Sequence, residues 1–452
     1  MGKFKGPSTW PITVDVLIVS VLVAAQLIRS PDEVVANSFV GGEGKNTQTE
    51  RQGLELVSLL VACAESISSR HHEAANYFIA RLGGEASPRG TPIHRVAAYF
   101  TEALALRVVK LWPRIFTLAP PWEEFAAQIP RDDEDGDEDA IAWQVLNHVS
   151  PIPKFLHFTL NERLIRAFQG KDRIHIIDFD IKQGLQWPSL FQSLSSRPNP
   201  PSHVRITGIG ESRQDLQETG VRLARFAEEL NLPFAFHAVA DRLDDVRLWM
   251  LHVNRNECVA VNCVAVMHKA LYDESGAALA SFLSLLRSAN PEIVVTAEKE
   301  VELNKQAWEM RLVASIQYYS AVFDALGSCL PENSAARIKV EEMFAREMRN
   351  VVACEGNERV ERYERFNTWK QLMEDGGFLC GGIGEREVLQ SRMILRMNSP
   401  PPPSSSENYS IEQQGESSDG ITLKWMDQPL YTVSAWIPAD VVAGTSSTSQ
   451  PS

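Results

Sequence analysis

The stretch from Arg173 to Ser212 limits what this chain can fold into more than any other. Ile174, Ile176 and Ile177 form a short β-branched run ending in Asp178-Phe179-Asp180, and Val204 to Ile209 form a second ending in Gly210-Glu211. Both read as buried parallel strands. Between them Leu185, Leu190, Phe191 and Leu194 fall near helical spacing, and Pro198, Asn199, Pro200 and Pro201 stop the helix before the second strand. Strand, crossover helix and parallel strand make the repeating unit of an α/β sheet, and ligands of such sheets gather beyond the carboxyl ends of the strands. Asp178, Asp180, Gln183 and Glu211 are expected there, as are Asn262 and His268 near the end of a later strand.

The rest of the chain supplies a helical layer and further strands. Order is expected to begin at Leu54. Leu56, Leu60, Cys63 and Ile67, and then Ala75, Phe78, Ile79 and Leu82, recur at the spacing of amphipathic helices. Thr91-Pro92 places a cap and a first-turn proline before a third helix that runs to Leu111, with Pro113 beyond it. Trp143 to Val149, Pro153 to Phe168, Gln214 to Leu230 and most of Gln306 to Asp375 read as helices. Phe234 to Val239, Val259 to Asn262 and Ile293 to Glu298 read as strands. Leu389, Met393, Leu395 and Met397 are taken as a strand, 398–420 as a flexible loop, and 439–452 as a disordered tail. Ile421 to Trp425 and Tyr431 to Trp436, joined by Asp427-Gln428-Pro429, predict an antiparallel hairpin. The expected fold is therefore α/β, with a Rossmann-like, mostly parallel sheet, an antiparallel C-terminal hairpin and an N-terminal α-helical cap. Its expected divisions are a leader at 1–53 and one domain at 54–438, with the cap at 54–170 and the α/β core at 171–438.

Charge and motifs narrow the function. A net charge of -14 disfavours tight, sequence-independent binding to DNA. Asp132 to Asp139 reads as a solvated acidic loop. The arginines Arg222, Arg225, Arg242 and Arg247 have Glu228, Glu229, Asp241, Asp244 and Asp245 beside them. Cys63, Cys258, Cys263, Cys329, Cys354 and Cys380 are scattered, a pattern that fits a reducing compartment and no structural metal. The sequence carries no P-loop, GxSxG or HExxH pattern. No catalytic residue is assigned, and no cofactor or metal is expected. Val16 to Ile28 is an apolar run with the length of a signal-peptide core rather than a membrane span, yet Asp15 abuts it and no small-residue cleavage site follows. It reads as a secretion or anchoring signal, a local packing helix or an incidental leader; no membrane partner is expected.

Within this frame IHIIDFDIKQGLQWPSL resembles the VHIID motif of the plant GRAS family of transcriptional regulators, and the chain is most similar to its SCARECROW-like branch. The resemblance places a first leucine-rich region at Leu54 to Leu118 and a second at Gln214 to Leu271. It places the PFYRE motif on Pro291, Tyr318, Tyr319, Arg346 and Glu347. The SAW motif falls on Ser434-Ala435-Trp436, accompanied by Trp369, Gly377 and Trp425. Two features depart from the family: only 1–53 precedes the domain, where a long low-complexity segment is usual, and Val264 to His268 is more apolar than the Leu-Gln-Leu-His of this branch.

The resemblance implies a core shared with methyltransferases and a nuclear regulator that works by protein contacts. It implies zinc-finger-type transcription factors and other GRAS proteins as partners, a homo- or heterodimer, and DNA contacted mainly indirectly, with direct contact through a local basic patch at Arg222, Arg225, Arg242 and Arg247 left open. A cofactor-binding methyltransferase wants several glycines after its first strand so that the backbone can approach adenosylmethionine; here Gly184 stands alone beside bulky Phe179 and Ile181. A small-molecule sensor or relic methyltransferase using the strand-end residues is the rival reading. Two local features have both a packing and a functional interpretation. His175 lies inside the first strand, and Leu56, Leu59 and Leu60 fit the LxxLL pattern of helices that dock in coregulator grooves.

Overall fold

The computed structural model describes residues 43–116, 136–398, 408–415 and 418–440. The N-terminal layer consists of α1 (Glu43–Ser68), α2 (His72–Glu85), α3 (Pro92–Leu111), α4 (Gly136–Val149) and α5 (Pro151–Ala167). The α/β layer follows as β1 (Arg173–Phe179), α6 (Trp187–Ser195), β2 (His203–Gly210), α7 (Arg213–Glu229), β3 (Phe234–Ala240), β4 (Cys258–Val264), α8 (Ala277–Ser288) and β5 (Ile293–Lys299). Then come α9 (Trp308–Cys329), α10 (Ala335–Ala353), α11 (Phe366–Asp375), β6 (Phe378–Cys380), α12 (Glu385–Met397), β7 (Tyr409–Gln414), β8 (Gly420–Trp425) and β9 (Gln428–Pro438).

Among the described residues one sheet runs in the order β3-β2-β1-β4-β5-β9-β8-β7, with β6 paired to β9. The first five strands are parallel, and the order reverses between β1 and β4. That reversal is the switch point of a doubly wound sheet. β9 joins β5 antiparallel, with Val294 opposite Trp436 and Thr296 opposite Ser434, and the β8 hairpin strand extends it. The central strands β1, β4 and β5 are buried on both faces, which is why they are near-continuous apolar runs rather than alternating ones. Ile174, Ile176, Val204 and Ile206 join the core that includes α3, α5, α6 and α9. Ile177, Phe179, Val261 and Trp436 join a second core with Phe282, Leu283, Trp369 and Met373.

The helical cap is tied to α10 by ions as well as by apolar packing. Arg95, Glu341 and Arg337 are all within 1 % of complete burial. Arg95 Nη1 lies 2.7 Å from Glu341 Oε2 and Arg337 Nε 2.6 Å from Glu341 Oε1. The guanidinium of Arg95 also donates to the Gly90 and Glu332 carbonyls. A buried carboxylate shared by two arginines whose remaining donors also find acceptors satisfies the condition under which such ions are tolerated in a core.

Several local expectations are corrected. Helix α1 begins at Glu43, so it crosses the boundary drawn at Leu54; Glu, Lys, Gln and Arg in that polar stretch are good helix formers and extend the buried segment outward. Thr91 stands at the N-cap of α3 and Pro92 in its first turn as expected, but the Thr91 hydroxyl pairs with His94 Nδ1 at 2.7 Å and not with a backbone N–H. Leu389 to Met397 is helix α12, not a strand. Its inward set is Val388, Ser391, Ile394 and Leu395 at helical spacing, and of the four residues whose alternation suggests a strand, Leu389, Met393 and Met397 point outward while Leu395 points inward. Within the expected loop at 398–420, Tyr409 and Ile411 pair with Trp425 and Leu423 to make edge strand β7, a period-2 pattern short enough to be hidden in a polar tract. The acidic run ends inside α4, where Asp139 pairs with Arg346. The earlier part of that run, Val16 to Ile28 and the tail from 441 lie outside the described residues. Among the described residues no helix is long and apolar enough to cross a membrane.

Two stability tests follow from these contacts. Glu341→Ala leaves two buried guanidinium groups unpaired and is expected to cost about 3–5 kcal/mol in urea unfolding; a loss below about 1 kcal/mol would mean that water compensates them. Trp436 is fully buried, and its indole N–H lies 3.0 Å from Ser434 Oγ and 3.2 Å from Thr296 Oγ1. Trp436→Ala is expected to cost about 3–5 kcal/mol and to lower the melting temperature. An unchanged melting curve with lost partner binding would instead assign Trp436 to an interaction surface.

Candidate functional site

At the switch point the residues that a ligand would meet hold one another. Asp178 and Asn262 are register partners across β1 and β4, and both are buried. Asn262 Nδ2 donates to Asp178 Oδ1 at 2.8 Å, and Trp187 Nε1 at the start of α6 donates to Asp178 Oδ2 at 2.9 Å. Gln186 extends the network to the Asn262 side chain at 3.2 Å and to Asn161 of α5 at 3.1 Å. Burial pushes the Asp178 carboxyl up to about 7, partly offset by the hydrogen bonds from Asn262 and Trp187. Asp178 is thus neither a helix cap nor an open ligand contact; it joins two strands and a crossover helix.

The turn after β1 is closed from the other side. Gly184 has φ +58°, and a Cβ there would lie 3.1 Å from Leu223 Cδ1 and 3.2 Å from Thr219 Cγ2. Its glycine therefore serves a left-handed turn packed on α7. At Gly208 of β2 a Cβ would meet Phe236 Cζ at 2.8 Å and Ile181 Cγ2 at 3.0 Å, so an aromatic ring and a β-branched side chain lie close over that strand. Gln183 is half-buried. Its carbonyl accepts from Arg222, while its Oε1 is buried without a hydrogen-bond partner.

The remaining strand-end residues are less alike in setting. Glu211 is exposed. Asp180, with φ +68°, lies 3.1 Å from Lys269 Nζ and 3.7 Å from Lys182 Nζ. Burial alone would raise its carboxyl, but the two lysines outweigh that and hold it at about 2. His268 is buried, with Nδ1 3.0 Å from Glu298 Oε2, Nε2 3.5 Å from Glu361 Oε2 and its ring against Tyr363. His175 is remote from this edge. It bonds Thr207 Oγ1 at 2.8 Å and faces Arg205, and burial together with that guanidinium lowers it to about 3.

Of the motif residues from later in the chain, Tyr319 and Glu347 gather around Lys299 and Tyr363, and Tyr363 joins that group to His268 through their ring contact and through Glu361. Lys299 at the end of β5 pairs with Glu347 and meets Tyr363 Oη at 2.9 Å, and Tyr319 Oη donates to Glu347 Oε2 at 2.9 Å. Arg346, adjacent in sequence to Glu347, reaches Asp139 on α4 instead. Pro291 is buried just before β5. Trp369 lies in the α11 core, and Trp425 Nε1 donates to Asp324 Oδ2 at 2.8 Å. Leu56, Leu59 and Leu60 are 2 %, 5 % and 0 % exposed, so their LxxLL pattern is occupied by the core of the cap and presents no docking ridge.

The structure therefore brings Asp178 and Asn262 together, leaves Gln183 outside their hydrogen bonds, and sends His175, His268 and Glu211 into different surroundings. Sequence reasoning missed Trp187, Gln186, Asn161, Lys299 and Glu361. Gln186-Trp187 stood inside the most conspicuous motif, and a buried indole donor near a strand-end carboxylate was the available signal. Among the described residues no group of three or more His, Cys, Asp or Glu side chains is placed to hold a metal ion. At the strand ends Asp178, Asn262, Gln186 and Trp187 satisfy one another, while Gln183 Oε1 is left without a partner.

The GRAS domain family model matches residues 56–437. The chain is 57 % identical over 429 residues to Protein DWARF AND LOW-TILLERING of Oryza sativa subsp. japonica, covering 93 % of this chain and 67 % of that one. It is 55 % identical to Scarecrow-like protein 28 of Arabidopsis thaliana, covering 86 % of this chain and 59 % of that one. It is 37 % identical to Protein SCARECROW of Ipomoea nil, covering 88 % of this chain and 48 % of the relative. It therefore spans between about half and two thirds of the length of these relatives. Among solved structures, that of SCL7 in Oryza sativa superposes with a TM-score of 0.71 at 28 % identity, over 84 % of this chain and 99 % of the other. With the family model matched from the first cap helix to the closing strand, and the same architecture in a solved relative, the chain belongs to the GRAS family.

Proposed function

We propose that this chain is a nuclear transcription regulator that acts through protein contacts and not as an enzyme. The observation that carries this reading is the closed switch point. Asp178 is bonded to Trp187 and Asn262, and the turn around Gly184 is packed on α7, so the usual ligand position of the fold is occupied by the protein's own side chains. Function then falls to the outer surface. The net charge of -14 favours a division of labour in which a bound transcription factor, of zinc-finger type, reads DNA while this chain supplies the regulatory surface, with itself or another GRAS protein as a second partner. The domain is best drawn from the start of α1 to the end of β9, with the cap through α5 and the α/β core from β1 onward.

A nuclear fluorescent fusion and co-precipitation of a zinc-finger factor from nuclear extract, together with activity on that factor's reporter, are the expected outcomes. Retention in the secretory pathway would refute the localisation, and deleting 1–30 would show whether the apolar leader caused it.

The rival reading, a small-molecule sensor, finds its support in the buried, unpartnered Gln183 Oε1. Thermal denaturation with adenosylmethionine or its demethylated product is expected to show no shift; a saturable rise lost in Asp178→Asn would establish a native-state ligand and overturn the contact-only reading.

Asp178 also carries a pH signature. Its folded carboxyl is raised from 3.8 to about 7, so its contribution to stability is full below 3.8 and is lost as pH rises through 7. Asp178→Asn abolishes that dependence. The stability gap between wild type and variant is expected to narrow by about 1 kcal/mol per pH unit as pH rises toward about 7. Urea unfolding at a series of pH values measures it, and a gap independent of pH would show that the carboxyl is not raised.

A further inference from the structure

The outer face of α12 is an apolar stripe with nothing from the described residues packed on it. Leu389, Met393 and Met397 are 58 %, 57 % and 81 % exposed. Their i, i+4, i+8 spacing aligns them over ~12 Å of helix. The inward face of the same helix is fully used: Val388, Ile394 and Leu395 are buried, and Ser391 Oγ meets Thr159 Oγ1 of α5 at 2.8 Å. The helix is thus held rigidly from behind, through Ser391 and through the Arg166–Glu387 pair at 3.3 Å. Scattered apolar residues are ordinary on a protein surface, but three in register on one anchored helix form a ridge of the kind that partner helices cover. Two of the three are methionines, whose flexible thioethers adapt to different partner shapes.

The charge around the ridge selects the occupant. Arg386, Arg392 and Arg396 flank it, in a chain whose overall charge is -14. Arg386 lies 2.8 Å from Glu162 yet remains 73 % exposed, and Arg392 and Arg396 are exposed with no carboxylate partner among the described residues. Exposed Glu385 opposes them only at the amino-terminal end of the helix, where the helix dipole favours an acid. A second copy of this acidic chain meets less favourable electrostatics here than a separate acidic segment does, because unlike charge guides encounter and like charge opposes it.

We propose that the α12 ridge is a docking surface for an acidic amphipathic helix, one with apolar residues along a single stripe and Asp or Glu beside them. Such segments are disordered when free and fold on a preformed apolar surface. The arginines set orientation and encounter rate, and the Leu389, Met393 and Met397 ridge supplies the apolar contact. This assignment rests on the proposal that the chain regulates through protein contacts, and it names one surface for that purpose.

The test uses the full chain and a fluorescein-labelled peptide with Leu and Phe at i, i+3, i+4 and i+7 and Asp or Glu elsewhere. Saturable binding by anisotropy is expected, weakened about tenfold or more by the triple change Leu389→Ser, Met393→Ser, Met397→Ser and by Arg392→Glu with Arg396→Glu. The charge reversal should also reduce the salt dependence, while melting curves stay close to wild type because every altered side chain is exposed. Equal binding by either variant would overturn the proposal, as would equal binding of a peptide with Lys in place of its acids. Self-association of the free chain that disappears in the ridge variant would overturn it in favour of a second copy. A reporter assay separates this from the broader reading: a wild-type chain without regulatory effect defeats that reading, whereas full regulation by both variants defeats only the assignment of α12.

Discussion

Asp178 holds the centre of this molecule. A carboxylate at the end of a buried strand is costly unless its lone pairs are met, and here one oxygen takes an amide from β4 and the other an indole from α6. The rise of its carboxyl to about 7 shows that two hydrogen bonds offset only part of the burial. The compensation is geometric: the bonds fix β1 against β4 at the point where the sheet reverses direction, and they set the start of α6, the helix that crosses to β2. Gln186 and Asn161 extend the constraint to α5, so one polar network registers β1, β4, α6 and α5.

How much of this was legible in the sequence depends on the range over which each signal is written. β1 to β5 were readable because each is a local β-branched run bounded by turn residues, and the closing hairpin because its alternation is unbroken. Helix α12 was misread because its outward Leu389, Met393 and Met397 are apolar, so hydrophobicity did not report burial. β7 was missed because its alternation is brief and its pairing with β8 is tertiary. The candidate site was half legible: strand ends fix where Asp178 and Asn262 lie, but whether they face a ligand or each other depends on Trp187, whose part is decided by how α6 sits on the sheet. Periodicity counts apolar residues and is blind to an indole N–H.

The buried charges explain how an acidic protein carries so many arginines inside. Arg95 and Arg337 share Glu341, Lys299 shares Glu347, and Arg311 with Arg107 meets Glu355. Several of these pairs link helices distant in sequence, and α3 is fastened to α10 and to the segment after it in this way. Such pairs contribute less net stability than apolar packing of equal volume would, but breaking one leaves an uncompensated ion, so they discriminate strongly against misdocked arrangements of cap and core. Arg346 and Glu347 do the same in two directions. Neighbours in sequence, they point to α4 and β5 and fasten both to α10.

On the proposed reading, the residues that close the switch point are what make a doubly wound sheet a scaffold. Opening that position would require a turn with room for a ligand backbone contact, a strand-end carboxylate free of donors, and clear space above β2. Here Gly184 packs on α7, Asp178 is doubly bonded, and Gly208 seats Phe236 and Ile181 close to the strand. No single substitution reverses all three: removing Trp187 would free one oxygen of Asp178, while Leu223 would still crowd the turn and Phe236 would still crowd β2. Each closure rests on different residues, so the site stays filled when one is lost.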